Sequence, residues 1–190
     1  AKEVINQVNT DHIETYGMIT GETSFNLSSE VQGKLLKGDI SFKPGVKFRK
    51  GQVLCRVDNT DALYSLAARK SSFITLIANA LPDIKVDFPD EFNKWLEYMN
   101  NLKLNQPLPE LPTWKSNKEK VFLASRNIIS EYFGIKSNEN TIQKYTMIAP
   151  FNGMIQNTTA SIHTNITPGM QLATLIETNN FELKAPIQLS

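Results

Sequence analysis

Val31-Gln32-Gly33-Lys34-Leu35 is echoed later in the chain by Phe151-Asn152-Gly153-Met154-Ile155. Phe48-Arg49-Lys50-Gly51-Gln52-Val53-Leu54-Cys55-Arg56-Val57 is echoed by Ile166-Thr167-Pro168-Gly169-Met170-Gln171-Leu172-Ala173-Thr174-Leu175. Gly51 follows Gly33 by eighteen positions and Gly169 follows Gly153 by sixteen, so each copy is one block with a slightly different loop. In both, an apolar residue stands three before the second glycine, and apolar residues follow it at three and six. A chain that must turn sharply and re-enter a strand needs glycine at the turn, which assigns structural turns to Gly33, Gly51, Gly153 and Gly169. The repeat predicts two similar half-motifs, residues 21–60 and 146–180, folded into one domain, with 61–145 inserted between them.

Working outward from the repeat, Ile13 to Thr20 and Ser24 to Ser28 read as strands around a turn at Gly21. Glycines at 33, 38, 45 and 51 mark closely spaced tight turns, so residues 21–58 read as all-β. At the other end Phe181, Leu183, Ala185, Ile187 and Leu189 alternate with Glu182, Lys184, Pro186, Gln188 and Ser190, the period-two pattern of a half-buried strand. Strands 13–20 and 181–189, within the terminal segments 1–20 and 181–190, are therefore expected to leave the split domain on one side and lie near each other, in a chain that continues into a further domain.

Between the halves the period changes. Leu63, Leu66, Ala67, Phe73, Ile74, Ile77 and Leu81 recur at helical steps from Asp61 and predict a helix ending at Leu81-Pro82, with Lys70 as the odd member of the stripe. A short helix over Asp90 to Leu102 carries Phe92, Trp95, Leu96 and Met99. The proline-rich run Asn105 to Pro112 excludes helix. Ser116-Asn117-Lys118-Glu119 is a capping box, from which one long helix is expected to Lys144 with Val121, Ile128, Ile135 and Ile142 along one side. Gly134 is the position that weakens its continuity. The stripe fits a core helix and a projecting helical hairpin equally.

Composition narrows the function classes. Of 190 residues 41% are hydrophobic and 21% charged, enough apolar surface for a buried core. Twenty basic against nineteen acidic residues leave a formal charge of +1, which supplies no field for nucleic acid or an anionic membrane. Cys55 is alone and sits in a strand-like run, a small buried apolar residue. With two histidines, His12 and His163, a metal site would need mostly carboxylates. No nucleophile, base or phosphate-loop pattern is present, and Asp58-Asn59-Thr60-Asp61 reads as a helix cap. No apolar stretch reaches the length of a membrane span and no signal peptide stands at Ala1, so the chain reads as soluble, a mature or excised piece of something longer. These features predict no enzyme, metal or cofactor.

The two half-motifs resemble those of the biotinyl/lipoyl-carrier fold. In carriers, however, a tight hairpin bearing the modified lysine joins the halves, and here residues 61–145 occupy that joint. A lipoyl-like domain split by a helical hairpin resembles the periplasmic adaptor subunits, HlyD-like membrane fusion proteins, of tripartite efflux pumps. Glu30-Val31-Gln32-Gly33, Val46 to Leu54, and above all Tyr145-Thr146-Met147-Ile148-Ala149-Pro150-Phe151-Asn152-Gly153 are similar to that family's pattern. The resemblance implies an α+β fold: a lipoyl-like β-sandwich of two interlocked half-motifs, split by a helical hairpin, with terminal strands in an incomplete β-barrel.

The function implied is non-catalytic: linking an inner-membrane transporter, of the resistance-nodulation-division (RND) type more than the ABC or metal-efflux type, to an outer-membrane channel for export of small molecules. It also implies self-association into a ring and a periplasmic location, tethered to the inner membrane. The family's usual Arg, Leu and Ser tip pattern is missing, Ser130 standing four after Arg126. With a 28-residue helix from Asn117 to Lys144, about 42 Å long, the far end of the hairpin is expected within 82–115. There Leu104, Leu108, Leu111 and Trp114 are the candidate partner-binding residues, and capping the hairpin's own core fits them equally. A carrier domain of a multienzyme complex is the alternative, and ligand or metal binding by the aromatic middle segment a weaker third.

Overall fold

Strand-forming residues and glycine turns of the two repeated blocks build two four-stranded sheets, in each of which both blocks take part. The computed structural model describes residues 18–21, 24–178 and 181–184. The first block supplies β2 (Ser24–Ser28), β3 (Gly33–Lys37), β4 (Lys47–Phe48) and β5 (Val53–Val57). The second supplies β6 (Thr146–Ile148), β7 (Gly153–Thr158), β8 (Asn165–Ile166) and β9 (Gln171–Glu177). One sheet runs β2-β9-β7-β4 and the other β6-β5-β3-β8. Exchanging the blocks, β2 for β6, β3 for β7, β4 for β8 and β5 for β9, converts one order into the other.

Individual hydrogen bonds obey the same exchange. Gly51 N–H donates to Ala149 O (2.9 Å) while Gly169 N–H donates to Ser29 O (2.7 Å). Ala149 N–H donates to Gln52 O (2.9 Å) while Ser29 N–H donates to Met170 O (2.9 Å). Gly51 and Gly169 both have φ 83°, in the left-handed region where a Cβ is strained. At Gly153 a Cβ would come within 2.2 Å of Ile176 O, so close backbone approach is what that position requires. Gly45 (φ 83°) has His163 (φ 74°) as its counterpart: one block places a histidine where the other uses glycine. Leu35, Leu54, Cys55, Ile155, Leu172 and Leu175 are fully buried between the sheets. At about 1.5–3 kcal/mol for each large apolar side chain, this shared interior holds the blocks together.

Outside the sheets β1 (Met18–Gly21) pairs antiparallel with β10 (Phe181–Lys184), Met18 opposite Lys184 and Gly21 opposite Phe181. Gly21 thus belongs to a strand rather than to the expected turn. Residues 13–17 and 185–189, and the side-chain faces of both terminal strands, lie outside the described residues.

The insertion folds as α1 (Thr60–Asp87), a single 3-10 turn at Pro89–Glu91, α2 (Phe92–Asn101), α3 (Asn117–Ser125) and α4 (Ile128–Gln143). Phe73, Ile77, Trp95, Leu123, Ile128 and Ile135 are its fully buried centre. Three expectations need correction. Helix α1 does not stop at Leu81-Pro82 but carries Pro82 inside it. The proline removes one hydrogen bond, yet the next turn buries Ile84, and burial of the flanking Leu81 and Ile84 offsets a loss of about 3 kcal/mol. Nor do residues 117–144 form one helix, because Asn127 adopts φ 58° and separates α3 from α4.

The reason for the break lies in the core. Leu123 and Ile128 are both fully buried, yet five residues on a continuous helix would put them about 140° apart. Asparagine tolerates the left-handed conformation that brings both inward. The seven-residue stripe is accordingly broken: Ile128 and Ile135 are buried while Val121 is exposed. Gly134, the expected weak point, lies within α4 beneath Arg69, whose Nη2 would be 2.2 Å from a Cβ there. Arg69 Nε lies 2.5 Å from Glu131 Oε1. The third correction concerns α1's buried stripe, which includes Lys70 and leaves Leu63 exposed.

Candidate functional site

Residues 102–116 link α2 to α3 as an extended strap. Its prolines, Pro107, Pro109 and Pro112, supply no N–H, and it belongs to no sheet, so its backbone groups need other partners. Side chains of the surrounding helices provide them at two places. At the first, Lys70 Nζ donates to Gln106 O (2.7 Å) and pairs with Glu139 (2.6 Å), Glu139 accepts from Leu108 N–H (2.8 Å), and Lys136 Nζ donates to Leu108 O. At the second, Lys94 Nζ donates to Thr113 O (2.9 Å) and pairs with Glu119 (2.9 Å) and Glu91 (2.6 Å). Glu119 also accepts from Trp95 Nε1 (3.0 Å) and Lys115 N–H (2.9 Å). Between the two clamps Tyr98 OH donates to Pro109 O at 3.2 Å.

Lys70 and Glu119 are only 4% and 2% exposed, so these charges persist inside the protein because each is paired and hydrogen-bonded. Burial pushes the Glu119 carboxyl up, but hydrogen bonds from Lys94, Trp95 and the Lys115 amide outweigh it and hold the group below the ordinary 4.5. Glu91 is held low by Lys94 and Lys115. The capping box is half formed: Ser116 Oγ accepts from Glu119 N–H (3.1 Å), while the Glu119 carboxylate turns to the clamp.

The clamps relocate the candidate partner-binding residues. Leu108 is 3% exposed inside the helical core and Leu111 packs against that core. Leu104 (45% exposed) lies beside Leu63 and Tyr64 at the start of α1 and Ile142 at the end of α4, where the insertion joins the sheets. Trp114 is 40% exposed, with Lys120 Nζ 5.7 Å from its ring centroid. The four do not gather at a tip, because two buried ion clusters hold the strap along the bundle.

The opposite end is built from the last turns of α1 and from α3: Arg126 pairs with Asp83, and the Phe88 and Phe122 rings meet at a tilt with centroids 5.5 Å apart. Val86 (80% exposed) and Val121 (59%) lie on these turns. Val86 follows the predicted end of the first helix, and the heptad spacing places Val121 inward, so neither stands out in the sequence.

The remaining candidates are structural. Cys55 is buried against Met147 (Sγ to Sδ 3.3 Å), and burial pushes its thiol up to about 12. Asp58 accepts from the Thr60 hydroxyl (2.7 Å) and amide (3.1 Å), which hold its carboxyl low; the cap at α1 therefore comes from Asp58, and Asn59 makes no side-chain cap. Among the described residues no cluster of three or more His, Cys, Asp or Glu could hold a metal, and no helix is long and apolar enough to cross a membrane.

No protein-family model and no curated protein matches the chain. Solved structures do. A MacA-MexA chimeric protein containing the Pseudomonas aeruginosa MexA α-hairpin domain is similar at TM-score 0.61 and 11% identity, over 91% of this chain and 53% of that one. A candidate efflux transporter from Bacteroides eggerthii is similar at TM-score 0.59 and 18% identity, over 95% and 50%. The periplasmic adaptor protein EmrA is similar at TM-score 0.50 and 16% identity, over 88% and 76%. The chain spans about half the length of the first two. At such identities the likeness is one of fold, and the chain has the mixed helix-and-strand fold of the periplasmic adaptor, or membrane fusion, proteins.

Proposed function

We propose that this chain is the central part of a periplasmic adaptor that links an inner-membrane efflux transporter to an outer-membrane channel and has no catalytic role. One observation carries the reading: a two-block β-domain is interrupted between β5 and β6 by a long helical insertion, and its two ends leave together as the β1-β10 pair. In this reading the β-domain is lipoyl-like, the terminal pair begins the next barrel, and copies pack side by side into a ring. The RND class of transporter is the preferred partner, and a segment outside this chain tethers the protein to the inner membrane. The carrier alternative is disfavoured because α1 to α4 occupy the joint where a carrier presents its lysine.

The docking end, in this reading, is the end of α1 with α3, rather than the strap. A photo-crosslinking residue placed at Val86 or Val121 of the full-length protein in cells is expected to capture an outer-membrane channel, and one at exposed Tyr64 is not. Deleting the gene is expected to raise intracellular retention of exported compounds. Unchanged export, with no crosslink from either position, would overturn the reading.

A further inference from the structure

The strap closes one side of a groove that the adaptor reading does not use. The groove has a volume of about 700 Å³ and runs between the first turns of α1, strap residues Leu104 to Pro107, and the last turns of α4. That volume is in the range of small-molecule sites. Its walls are mainly apolar: Leu63, Tyr64, Leu66, Ala67, Pro107 and Ile142. Leu63, Tyr64 and Leu104, which stand 46%, 71% and 45% exposed, form its lips, so three large apolar side chains are left open around a concave site.

Charge decides what would fit. The charged residues lining the groove are Lys70, Lys136 and Glu139, two ammonium groups against one carboxylate. Lys70 is taken up by the clamp: it is buried, 2.6 Å from Glu139 and 2.7 Å from Gln106 O. Lys136 is the surplus. Its side chain is 33% exposed, its Nζ lies 3.7 Å from Glu139 Oε2, beyond hydrogen-bond distance, on a carboxylate whose Oε1 already takes Lys70 and the Leu108 amide, and of its three donors one goes to Leu108 O. A net positive charge at the edge of an apolar groove favours a ligand with an apolar body and one anionic end.

We propose that this groove binds amphipathic organic anions of fatty-acid size, with the apolar body between α1, α4 and the strap and the anionic group at Lys136. The site does not depend on whether the chain joins a pump.

Octanoate is the probe, with 1-octanol as its neutral counterpart, titrated against the ¹⁵N-labelled chain. The proposal expects saturable octanoate-induced amide shifts centred on residues 63–67, 104–106 and 136–143, with octanol bound more weakly. Lys136→Gln is expected to weaken octanoate about tenfold while leaving octanol unchanged. Because that variant also removes a strap contact, Ala67→Trp is the second: it fills the groove while leaving every clamp residue in the sequence, and is expected to abolish binding of both probes while the strap stays docked, read as unchanged amide shifts for residues 108–116. No saturable shift below the micellar concentration of octanoate would overturn the proposal, as would shifts centred elsewhere. So would octanoate affinity that survives Ala67→Trp, or an equal loss of both probes in Lys136→Gln.

Discussion

The β-domain and the helical insertion keep their shape by different means. In the β-domain the same turn is made twice and the same hydrogen bonds are exchanged twice, over an interior that is almost wholly apolar. The insertion has no internal repeat, and its extended strap is tied down by lysines and glutamates taken into the bundle, Lys70, Glu119 and Glu91 among them. Apolar cores tolerate small adjustments, whereas a buried ion loses much of its stability when one partner is removed. The insertion should therefore be the more brittle region, in ways that differ with the residue changed.

Glu119→Ala should show the largest effect. It leaves the Trp95 and Lys115 N–H groups without their acceptor and removes one of the two carboxylates paired with Lys94. A loss of about 3–5 kcal/mol is expected in urea denaturation. Hydrogen exchange should show α2, α3 and the strap opening while β3, β5, β7 and β9 stay protected. Equal loss of protection in both regions would mean that the insertion and the sheets unfold as one unit.

Gly153→Ala should be the costliest glycine change in the β-domain, since the added Cβ meets the backbone oxygen of Ile176. Gly51→Ala and Gly169→Ala meet nothing within 4 Å, so their cost is conformational, about 1–2 kcal/mol each and equal within error. Unequal melting shifts for this pair would break the equivalence of the two blocks.

Acid separates the regions by a different route. Glu119 and Glu91 have folded-state pKa values below the ordinary 4.5, so their contribution to stability is complete above that value. It is lost as pH falls through the lower folded values, when protonation weakens the clamp. Near-ultraviolet circular dichroism of the tryptophans, Trp95 at the clamp and Trp114 on the strap, should change at a higher pH than the strand signal does. Coincident acid transitions would contradict this.

The smallest effect is expected at His163, whose left-handed φ of 74° stands where the first block has Gly45. His163→Gly relieves steric strain but adds unfolded-chain entropy, for a net gain of roughly 0.5 kcal/mol. A loss above 1 kcal/mol by the same measurement, on the scale of a hydrogen bond removed, would mean that the imidazole makes a stabilising contact.

The degree to which each region can be read without coordinates follows the same division. Turn glycines and alternating strands are legible because the constraint is local: a φ of 83° at Gly51 or Gly169 excludes most side chains whatever the rest of the chain does. The N-terminal end of α3 was legible for the same reason, Ser116 capping a residue three positions away. Pro82 misleads, and the break at Asn127 leaves no signal, because core packing overrides local preference: buried Ile84 carries α1 through its proline, and buried Leu123 and Ile128 require the break between α3 and α4. Leu108 fits a docking tip and a core cap equally in the sequence and is buried in the fold, since nothing within the strap itself says which helices will cover it.

By itself, then, the order of residues determined the two repeated blocks, their glycine turns, the interruption between them and the presence of helices in that interruption. All of these rest on interactions within a few residues or on a pattern repeated along the chain. Only the tertiary structure decided the path of the strap, the burial of Lys70 and Glu119 and the groove beside Lys136. Those depend on pairs such as Lys70 with Glu139 and Lys94 with Glu119, far apart in the chain, whose charges are tolerated in the interior only after the helices have placed each against its partner.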